Sequence, residues 1–232
     1  MIGGPAPRRV PAARVVAAPA PRVVTRGVTG LVTWLVTALL ATALAGAPAR
    51  AALPSDAPQP IDVVREHVGA AIAILKDPAY AERAVEQRDR LCAIAHQLFD
   101  IETFSRLVLM GSWQDLDAAA QREFVAVFGD FLCRYYLSRL QIYYDNELVT
   151  FSEQEFKSDT RATVAARVEW RGLEIPVEVR MGYRDGHWRA FDVVVSGISA
   201  VLVYRAQIQP RLLEITPREL IEELRQRIAE QG

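Results

Sequence analysis

The chain has 232 residues, of which 51% are hydrophobic, and a formal net charge of −1. Six of its 27 basic residues and none of its 28 acidic residues lie in the first 51 positions, so the rest of the chain has a net charge of about −7. This acidic excess disfavours binding to nucleic acid or to bare anionic membranes.

The first 51 residues have the order of a cleaved secretion signal. Arginines come first, an uncharged run of 23 residues from Gly27 to Ala49 follows, and Ala49-Arg50-Ala51 matches a signal peptidase site. The alternative is an uncleaved membrane anchor, because a spanning helix needs about 20 residues, but glycines and a proline dilute this run. We predict a signal peptide over residues 1–51, a flexible proline-rich linker over 52–60 and a single domain over 61–232.

The first half of this domain has apolar residues at helical spacing. They recur at steps of three and four from Ile61 to Leu75 and again from about Arg83 to Leu98. Asp100 is placed to cap a short helix that stops at Gly111. The longest helix is predicted from about Asp117 to Tyr143, and its apolar face is too broad and too aromatic for one neighbouring helix to cover.

Alternating apolar and polar residues then predict a sheet with one buried face. The alternation runs from Thr160 to Trp170 and from Leu173 to Met181. Arg171-Gly172 joins these strands in a tight turn, and Asp185-Gly186 predicts a second hairpin that leads into a strand from His187 to Val195.

A strand near Leu148 to Phe156 completes four antiparallel strands, and two helices close the chain. The first covers about Ala200 to Leu213, and a capping box at Thr216-Pro217-x-Glu219 opens the second. The order predicts an α+β domain, with N-terminal helices packed on a curved, roughly four-stranded antiparallel sheet and helices at the C-terminus. Such a sheet can enclose an apolar cavity; the alternative is that the same residues fill the core.

The sequence lacks the patterns of common catalytic and metal sites. Cys92 and Cys133 both fall in predicted helices and suit either a disulfide or two buried free thiols. His96 lies four residues after Cys92, a spacing more typical of a surface histidine than of a thiol's catalytic partner. There is no zinc spacing, Ser-His-Asp order or glycine-rich phosphate loop, so we predict no metal and no cofactor.

The segment from His187 to Gln207 combines a strand, a Gly-Ile-Ser turn and the start of a helix. Asp192 interrupts an otherwise apolar strand, and we expect it to be a buried hydrogen-bonding post and not a catalytic acid. Gly197 suits the sharp turn, and Ser199 stands where a hydroxyl would cap the next helix.

Three motifs in a fixed order carry a family resemblance. The last is a Trp-x-x-Phe-Asp-Val strand, then Gly-Ile-Ser, then Tyr-Arg in the following helix. The residues of this last motif are Trp188, Phe191, Asp192, Val193, Gly197, Ile198, Ser199, Tyr204 and Arg205. The upstream motifs consist of Phe99, Asp100, Phe104, Gly111, Ser112, Trp113, Gln121, Arg122, Glu123, Phe124 and Phe128. Over about residues 61 to 228 the chain resembles the MlaC family of periplasmic phospholipid-binding proteins. It departs from the family pattern at Ala200, often leucine, and at Val203, often polar.

The resemblance implies a periplasmic lipid carrier and not an enzyme. Such proteins hold a phospholipid with its tails buried and pass it between an outer-membrane lipoprotein complex and an inner-membrane ABC transporter with its lipid-binding periplasmic subunit. A hopanoid is an alternative cargo. The expected pocket residues are Phe104, Leu107, Val108, Trp113, Phe128, Phe131, Leu132, Tyr135, Tyr136, Val164, Val168, Val177 and Val179.

Polar residues that flank these apolar faces are candidates for the pocket mouth. They are Arg106, Arg134, Arg139 and Tyr143, and a solvated helix face is the alternative for each. Tyr204 and Arg205 are expected to fix their helix against the sheet.

Two other functions fit the same fold class. Cone-shaped α+β domains also host isomerases and hydratases, for which Asp192 with Tyr135 or Tyr204 would be the nearest acid/base pair. A ligand-free periplasmic adaptor would instead have a filled core and a conspicuous exposed apolar patch.

Overall fold

The computed structural model describes residues 57–230, so the predicted leader and residues 52–56 of the predicted linker lie outside the described residues. The helices are α1 (Pro60–Lys76), α2 (Ala84–Leu98), α3 (Ile101–Leu109), α4 (Ala118–Tyr143), α5 (Ala200–Arg211) and α6 (Pro217–Ala229). The strands are β1 (Leu148–Ser158), β2 (Arg161–Trp170), β3 (Leu173–Arg184), β4 (His187–Val195) and β5 (Ile198–Ser199). Short 3₁₀ turns occupy Pro78–Tyr80 and Met110–Trp113. This is the predicted α+β fold, with a short fifth strand added.

Side chains cap α3, α4 and α6 where the sequence predicts that these helices begin. The Asp100 carboxylate accepts a hydrogen bond from the Thr103 backbone N–H at 2.8 Å and so caps α3. Asp117 caps α4 by accepting from the backbone N–H groups of Ala119 and Ala120, which lower the pKa of its carboxyl, the bond from Ala120 most. The capping box at Thr216 and Glu219 is present at the start of α6.

The end of α3 differs from the prediction. The helix stops at Leu109, two residues before Gly111, and Met110 has a positive φ of 52° with ψ at −124°. Gly111 lies instead inside the 3₁₀ turn that leads to α4. A glycine near a helix end was therefore a poor guide to the residue that ends the helix, because a non-glycine residue carries the positive φ here.

The sheet is antiparallel throughout, in the order β1-β2-β3-β4-β5. Both predicted tight turns are confirmed: φ is positive at Arg171 and Gly172, and again at Asp185 and Gly186, as a two-residue type I′ hairpin requires. Register shifts in β1 and between Arg180 and Met181 mark bulges, which bend a sheet and increase its twist.

Two apolar cores hold the domain together. One lies between the helices and is built on Phe124 and Phe128 of α4, with residues of α3, α5 and α6 around them. The other lies on the inner face of the sheet, where Val64 of α1 and Leu98 of α2 meet residues of β2, β3 and β4. The chain between α2 and α3 is tied to the sheet, because the Asp100 backbone N–H donates to the Ala190 carbonyl at 2.8 Å.

The two cysteines form a disulfide. It joins Cys92 of α2 to Cys133 of α4, whose Cα atoms are 5.7 Å apart. Of the two alternatives that the sequence left open, the structure has the bonded one. The bond crosses 41 residues of chain and fixes α2 against the second half of α4.

Candidate functional site

Asp192 is the polar centre of the corner between β4 and α5. It is only 2% exposed, and its carboxylate accepts hydrogen bonds from Arg180 Nη1 at 3.0 Å, from Ser199 Oγ at 2.7 Å and from the Val201 backbone N–H at 3.1 Å. Ser199 Oγ in turn accepts from the Leu202 backbone N–H at 3.2 Å and caps α5. The prediction of a hydrogen-bonding post is therefore confirmed.

The turn between β4 and β5 and the start of β4 complete this corner. Ser196 and Gly197 both have positive φ, 49° and 82°, which closes the tight turn before Ser199. Trp188 is buried and packs its ring against Tyr183 and Phe156 on the sheet.

Arg205 fixes α5 against α3, whereas we had expected the sheet as its partner. Its Nε and Nη2 donate to the Leu107 carbonyl at 2.9 and 2.7 Å. Gln209 donates to the carbonyls of Val108 and Leu109 at 2.9 and 3.1 Å. These three carbonyls belong to the last turn of α3 and lack partners within the helix, so a cation and an amide from α5 satisfy them.

Tyr204 lies in the centre of an aromatic cluster between α3, α4 and α5. Its ring centroid is 6.1 Å from that of Phe104 and 5.5 Å from that of Phe128, both in edge-on geometry. Burial raises the pKa of its hydroxyl far above the ordinary value, and a hydrogen bond with Tyr136 adds to the effect. Tyr204 is therefore neutral at physiological pH and is unsuited to act as a base.

An apolar cleft opens beside this cluster, between the helices and the end of β4. Its volume is about 620 Å³. It is lined by Ala95, His96, Phe99, Ile101, Phe104, Gly129, Leu132, Cys133, Tyr136, Leu137, Val193, Val195, Ser196, Ile198, Ala200, Val203 and Tyr204. We call it the helix cleft. Its rim exposes apolar surface, because Tyr136, Val195 and Ile198 are 48%, 44% and 63% exposed.

A second apolar cleft lies between α1, the end of α4 and the inner face of the sheet. Its volume is about 610 Å³. It is lined by Val68, Ala71, Ile72, Leu75, Leu140, Tyr144, Glu147, Val149, Val168, Trp170, Ile175, Val177 and Val195. We call it the sheet cleft. Glu147 is the charged residue among these.

The expected pocket residues divide between the clefts and the cores. Phe104, Leu132 and Tyr136 line the helix cleft, and Val168 and Val177 line the sheet cleft. The others belong to the core between the helices or to the core on the sheet: Leu107, Val108, Trp113, Phe128, Phe131, Tyr135, Val164 and Val179. Their role in binding a ligand stays a prediction.

Small residues on the cleft walls were missed from the sequence. Ala95, Gly129 and Ala200 leave space where a larger side chain would fill the helix cleft. Gly129 also permits close approach of the helices, because a Cβ there would lie 3.2 Å from His96 Cε1 and 3.3 Å from Ile101 Cγ2. A search for large apolar residues alone therefore underestimates the walls of a cleft.

The three arginines proposed for a pocket mouth line neither cleft. Arg106 and Arg134 pair with acidic residues one turn earlier on their own helices. Arg139 lies over the Tyr135 ring, 3.6 Å from its centroid, and donates to the Tyr135 carbonyl. The side chain of Tyr143 is outside what the structure describes. These contacts agree with the alternative, a solvated helix face.

A polar pocket of about 510 Å³ adjoins the helix cleft and shares Phe99 and Ile101 with it. Its basic residues are Arg161, Arg184, Arg189 and His187, and its acidic residues are Asp100, Glu102 and Asp185. Since the formal charges of the arginines and the carboxylates cancel, this pocket offers no net attraction to an anion.

Residues 57–230 contain neither a three-ligand metal cluster nor a helix that could cross a membrane. In this part of the chain, His, Cys, Asp and Glu side chains do not converge in threes to form a metal site. Its helices are also too short or too polar to span a bilayer.

The chain is similar to known proteins both by family and by fold. The family model described as MlaC protein matches residues 65–226. Among solved structures, the phospholipid-binding protein from Ralstonia solanacearum, in complex with a phospholipid, is similar with a TM-score of 0.68 at 18% sequence identity. The match covers 75% of this chain and 99% of the Ralstonia chain. A search of curated proteins finds no match.

Proposed function

Because the chain belongs to the MlaC family, we propose that it is a periplasmic lipid carrier that binds the acyl chains of a phospholipid in its apolar clefts. The solved structure of similar fold is a phospholipid-binding protein with a phospholipid bound. This likeness supports a phospholipid as the cargo, and the predicted signal peptide supports the periplasm as the compartment.

The observation that carries the proposal is the apolar lining of the two clefts. Exposing one methylene to water costs about 0.8 kcal/mol, so two chains of about 16 carbons represent on the order of 25 kcal/mol against crossing water. A carrier must cover most of that surface. Clefts of about 620 and 610 Å³ walled by aliphatic and aromatic side chains supply such cover.

The alternative of an isomerase or hydratase receives little support from the geometry. Its acid/base candidate, Asp192, lines neither cleft, and three donors already occupy its carboxylate. Its other candidates are tyrosines of the aromatic cluster, of which Tyr204 is held neutral. A general base must be both basic and within reach of substrate; Asp192 lies outside the clefts, and the neutral phenol of Tyr204 is a weak base.

The proposed partners follow from the family. The carrier would receive and deliver lipid at an outer-membrane lipoprotein complex and at an inner-membrane ABC transporter with its lipid-binding periplasmic subunit. The acidic net charge of the chain without its leader supports transfer at protein complexes over direct extraction from anionic membranes. The alternative of a ligand-free adaptor would leave the clefts without a role.

The test is native mass spectrometry of the secreted protein purified without detergent, followed by solvent extraction and lipid analysis. A stoichiometric phospholipid is the expected result, and a hopanoid would keep the carrier but change its cargo. A protein that carries no lipid and takes up none from phosphatidylglycerol vesicles would contradict the proposal.

A matched pair of variants locates the binding. Leu137→Asp places a charge in the helix cleft, whereas Leu213→Asp changes a side chain that is 90% exposed. We expect the first to abolish lipid uptake and the second to leave it unchanged. Equal uptake by both folded variants would move the site away from the helix cleft.

A further inference from the structure

The helix cleft and the sheet cleft are neighbours that meet at one residue. Val195, the last residue of β4, lines both and is 44% exposed. They also follow each other along α4, where Leu137 lines the first and Leu140 the second. Residues three apart on a helix are surface neighbours, about 5 to 6 Å between Cβ atoms. An elongated molecule can therefore enter both clefts at once.

Each cleft has the size of one binding site. Their volumes, about 620 and 610 Å³, both lie in the range of about 300 to 1,000 Å³ typical of small-molecule sites. The division at Val195 makes them two compartments of nearly equal size and not one large one. Equal compartments suit a ligand with two similar apolar parts.

The lining shows what the sheet cleft can accept. Its walls are mostly aliphatic side chains of α1 and of the sheet, joined by Trp170 at the end of β2, Tyr144 just after α4, and Glu147. The Tyr144 hydroxyl is buried and, among the described residues, has no hydrogen-bond partner. Apart from Tyr144 and Glu147 the lining is apolar, so most of the cleft suits a hydrocarbon chain.

We propose that the two clefts each take one acyl chain of the same lipid, with Val195 between the chains. This inference rests on the proposed carrier function and narrows its cargo to lipids with two separable chains. A rigid fused-ring lipid such as a hopanoid cannot divide around Val195, so it would occupy one cleft and leave the other unfilled.

The first test uses the unmodified protein after removal of its lipid. It is titrated with palmitoyl lysophosphatidylcholine and, separately, with dipalmitoyl phosphatidylcholine, and the bound molecules are counted by native mass spectrometry. We expect two of the single-chain lipid and one of the two-chain lipid per protein. One single-chain lipid per protein, or two of the two-chain lipid, would overturn the inference.

The second test blocks each cleft in turn. Ala71→Trp fills the sheet cleft and Ala95→Trp fills the helix cleft, while Ala73→Trp and Ala93→Trp place the same side chain on the exposed faces of the same helices. Each cleft variant should bind one single-chain lipid. Its affinity for the two-chain lipid should fall about tenfold or more, because leaving even two methylenes of the displaced chain in water has about that effect. The exposed controls should match the parent protein.

The outcomes separate this inference from the function on which it rests. Unchanged binding of the two-chain lipid by a folded Ala71→Trp protein would overturn the division into two clefts and leave the carrier intact. A parent protein that binds neither lipid would refute the carrier itself. Should a tryptophan variant fail to fold, as judged by circular dichroism, the count on the unmodified protein still decides.

Discussion

Residues 118–131 of α4 bury the rings of Phe124 and Phe128 completely, whereas residues 132–143 leave Tyr136 and Leu140 48% and 40% exposed. The side chains of the two halves are equally apolar, but their surroundings differ. Helices α3, α5 and α6 cover the first half, in which Gly129 borders the helix cleft, while the second half lines both clefts. The composition of a helix face therefore does not separate a filled core from a binding wall; the arrangement of the neighbouring elements does.

The largest expected difference between the halves is in stability. Phe128→Ala should lower the free energy of unfolding by about 3 to 5 kcal/mol, because it opens a cavity in a closed core. Leu137→Ala removes a side chain that already borders open space, so its cost should be about 1 kcal/mol or less.

Urea unfolding of both variants, with bound lipid removed, measures this difference. Lipid must be absent because a ligand stabilises the folded state by mass action. Equal losses for the two variants would show that the second half of α4 is packed as tightly as the first.

The disulfide holds the second half of α4 in place, whereas aromatic packing holds the first half. Cys92→Ser with Cys133→Ser frees a loop of 41 residues and should lower the free energy of unfolding by about 2 to 4 kcal/mol. The thermal unfolding midpoint of the double variant should equal that of the reduced parent protein and should not respond to reductant. A midpoint unchanged from the oxidised parent would mean that the two thiols are free in solution.

Local patterns in the sequence were sufficient for the fold. Alternation set the strands, the Arg171-Gly172 and Asp185-Gly186 pairs set the hairpins, and Asp117 and Thr216 set two helix starts. Each of these signals lies within a few neighbouring residues, so no tertiary information was needed.

The candidate site was predicted less completely, because its features depend on distant parts of the chain. Val108 and Phe104 lie on the same short helix, yet Phe104 lines a cleft and Val108 is fully buried. Ala95 and Val195 line the helix cleft although nothing in their local sequence marks them. The partner of Arg205, the Leu107 carbonyl, is 98 residues away. Sequence periodicity predicts on which face of its helix or strand a residue lies, but it does not predict which other element packs against that face.

Substitution of Asp192 shows whether the corner between β4 and α5 contributes to the stability of the core or to lipid binding in the clefts. Asp192→Ala leaves the Ser199 hydroxyl and the buried Val201 N–H without their acceptor, whereas the Arg180 side chain is 42% exposed and can turn to water. We expect a loss of about 2 to 3 kcal/mol in the free energy of unfolding. This is less than the cost of leaving one charge of a fully buried ion pair without its partner.

Lipid selectivity should not change in this variant, since Asp192 lines neither cleft. The measurements are thermal unfolding and analysis of the lipid bound. A stable, folded Asp192→Ala protein with altered lipid selectivity would contradict the structural role. Asp192→Asn, which keeps the shape and one acceptor oxygen, should fall between the parent and the alanine variant.

The smallest effect concerns Tyr204, which touches both halves of α4. Its ring contacts Phe128 and Phe131 of the first half and Tyr136 of the second. Burial, first, and the neighbouring Tyr136 hold its pKa above the unfolded value of about 10. Below pH 10 both states keep the proton and Tyr204 adds no pH dependence. Above pH 10 the unfolded chain releases the proton and the folded protein keeps it.

The free energy of unfolding should therefore fall above pH 10 by about 1.4 kcal/mol per pH unit through this group. Tyr204→Phe should remove that part of the slope, and Tyr80→Phe, outside the aromatic cluster, should not. Urea unfolding between pH 9 and 11 measures both. If Tyr204→Phe keeps the full slope of the parent, the hydroxyl must reach water, and the aromatic cluster between the two halves of α4 must be open to solvent.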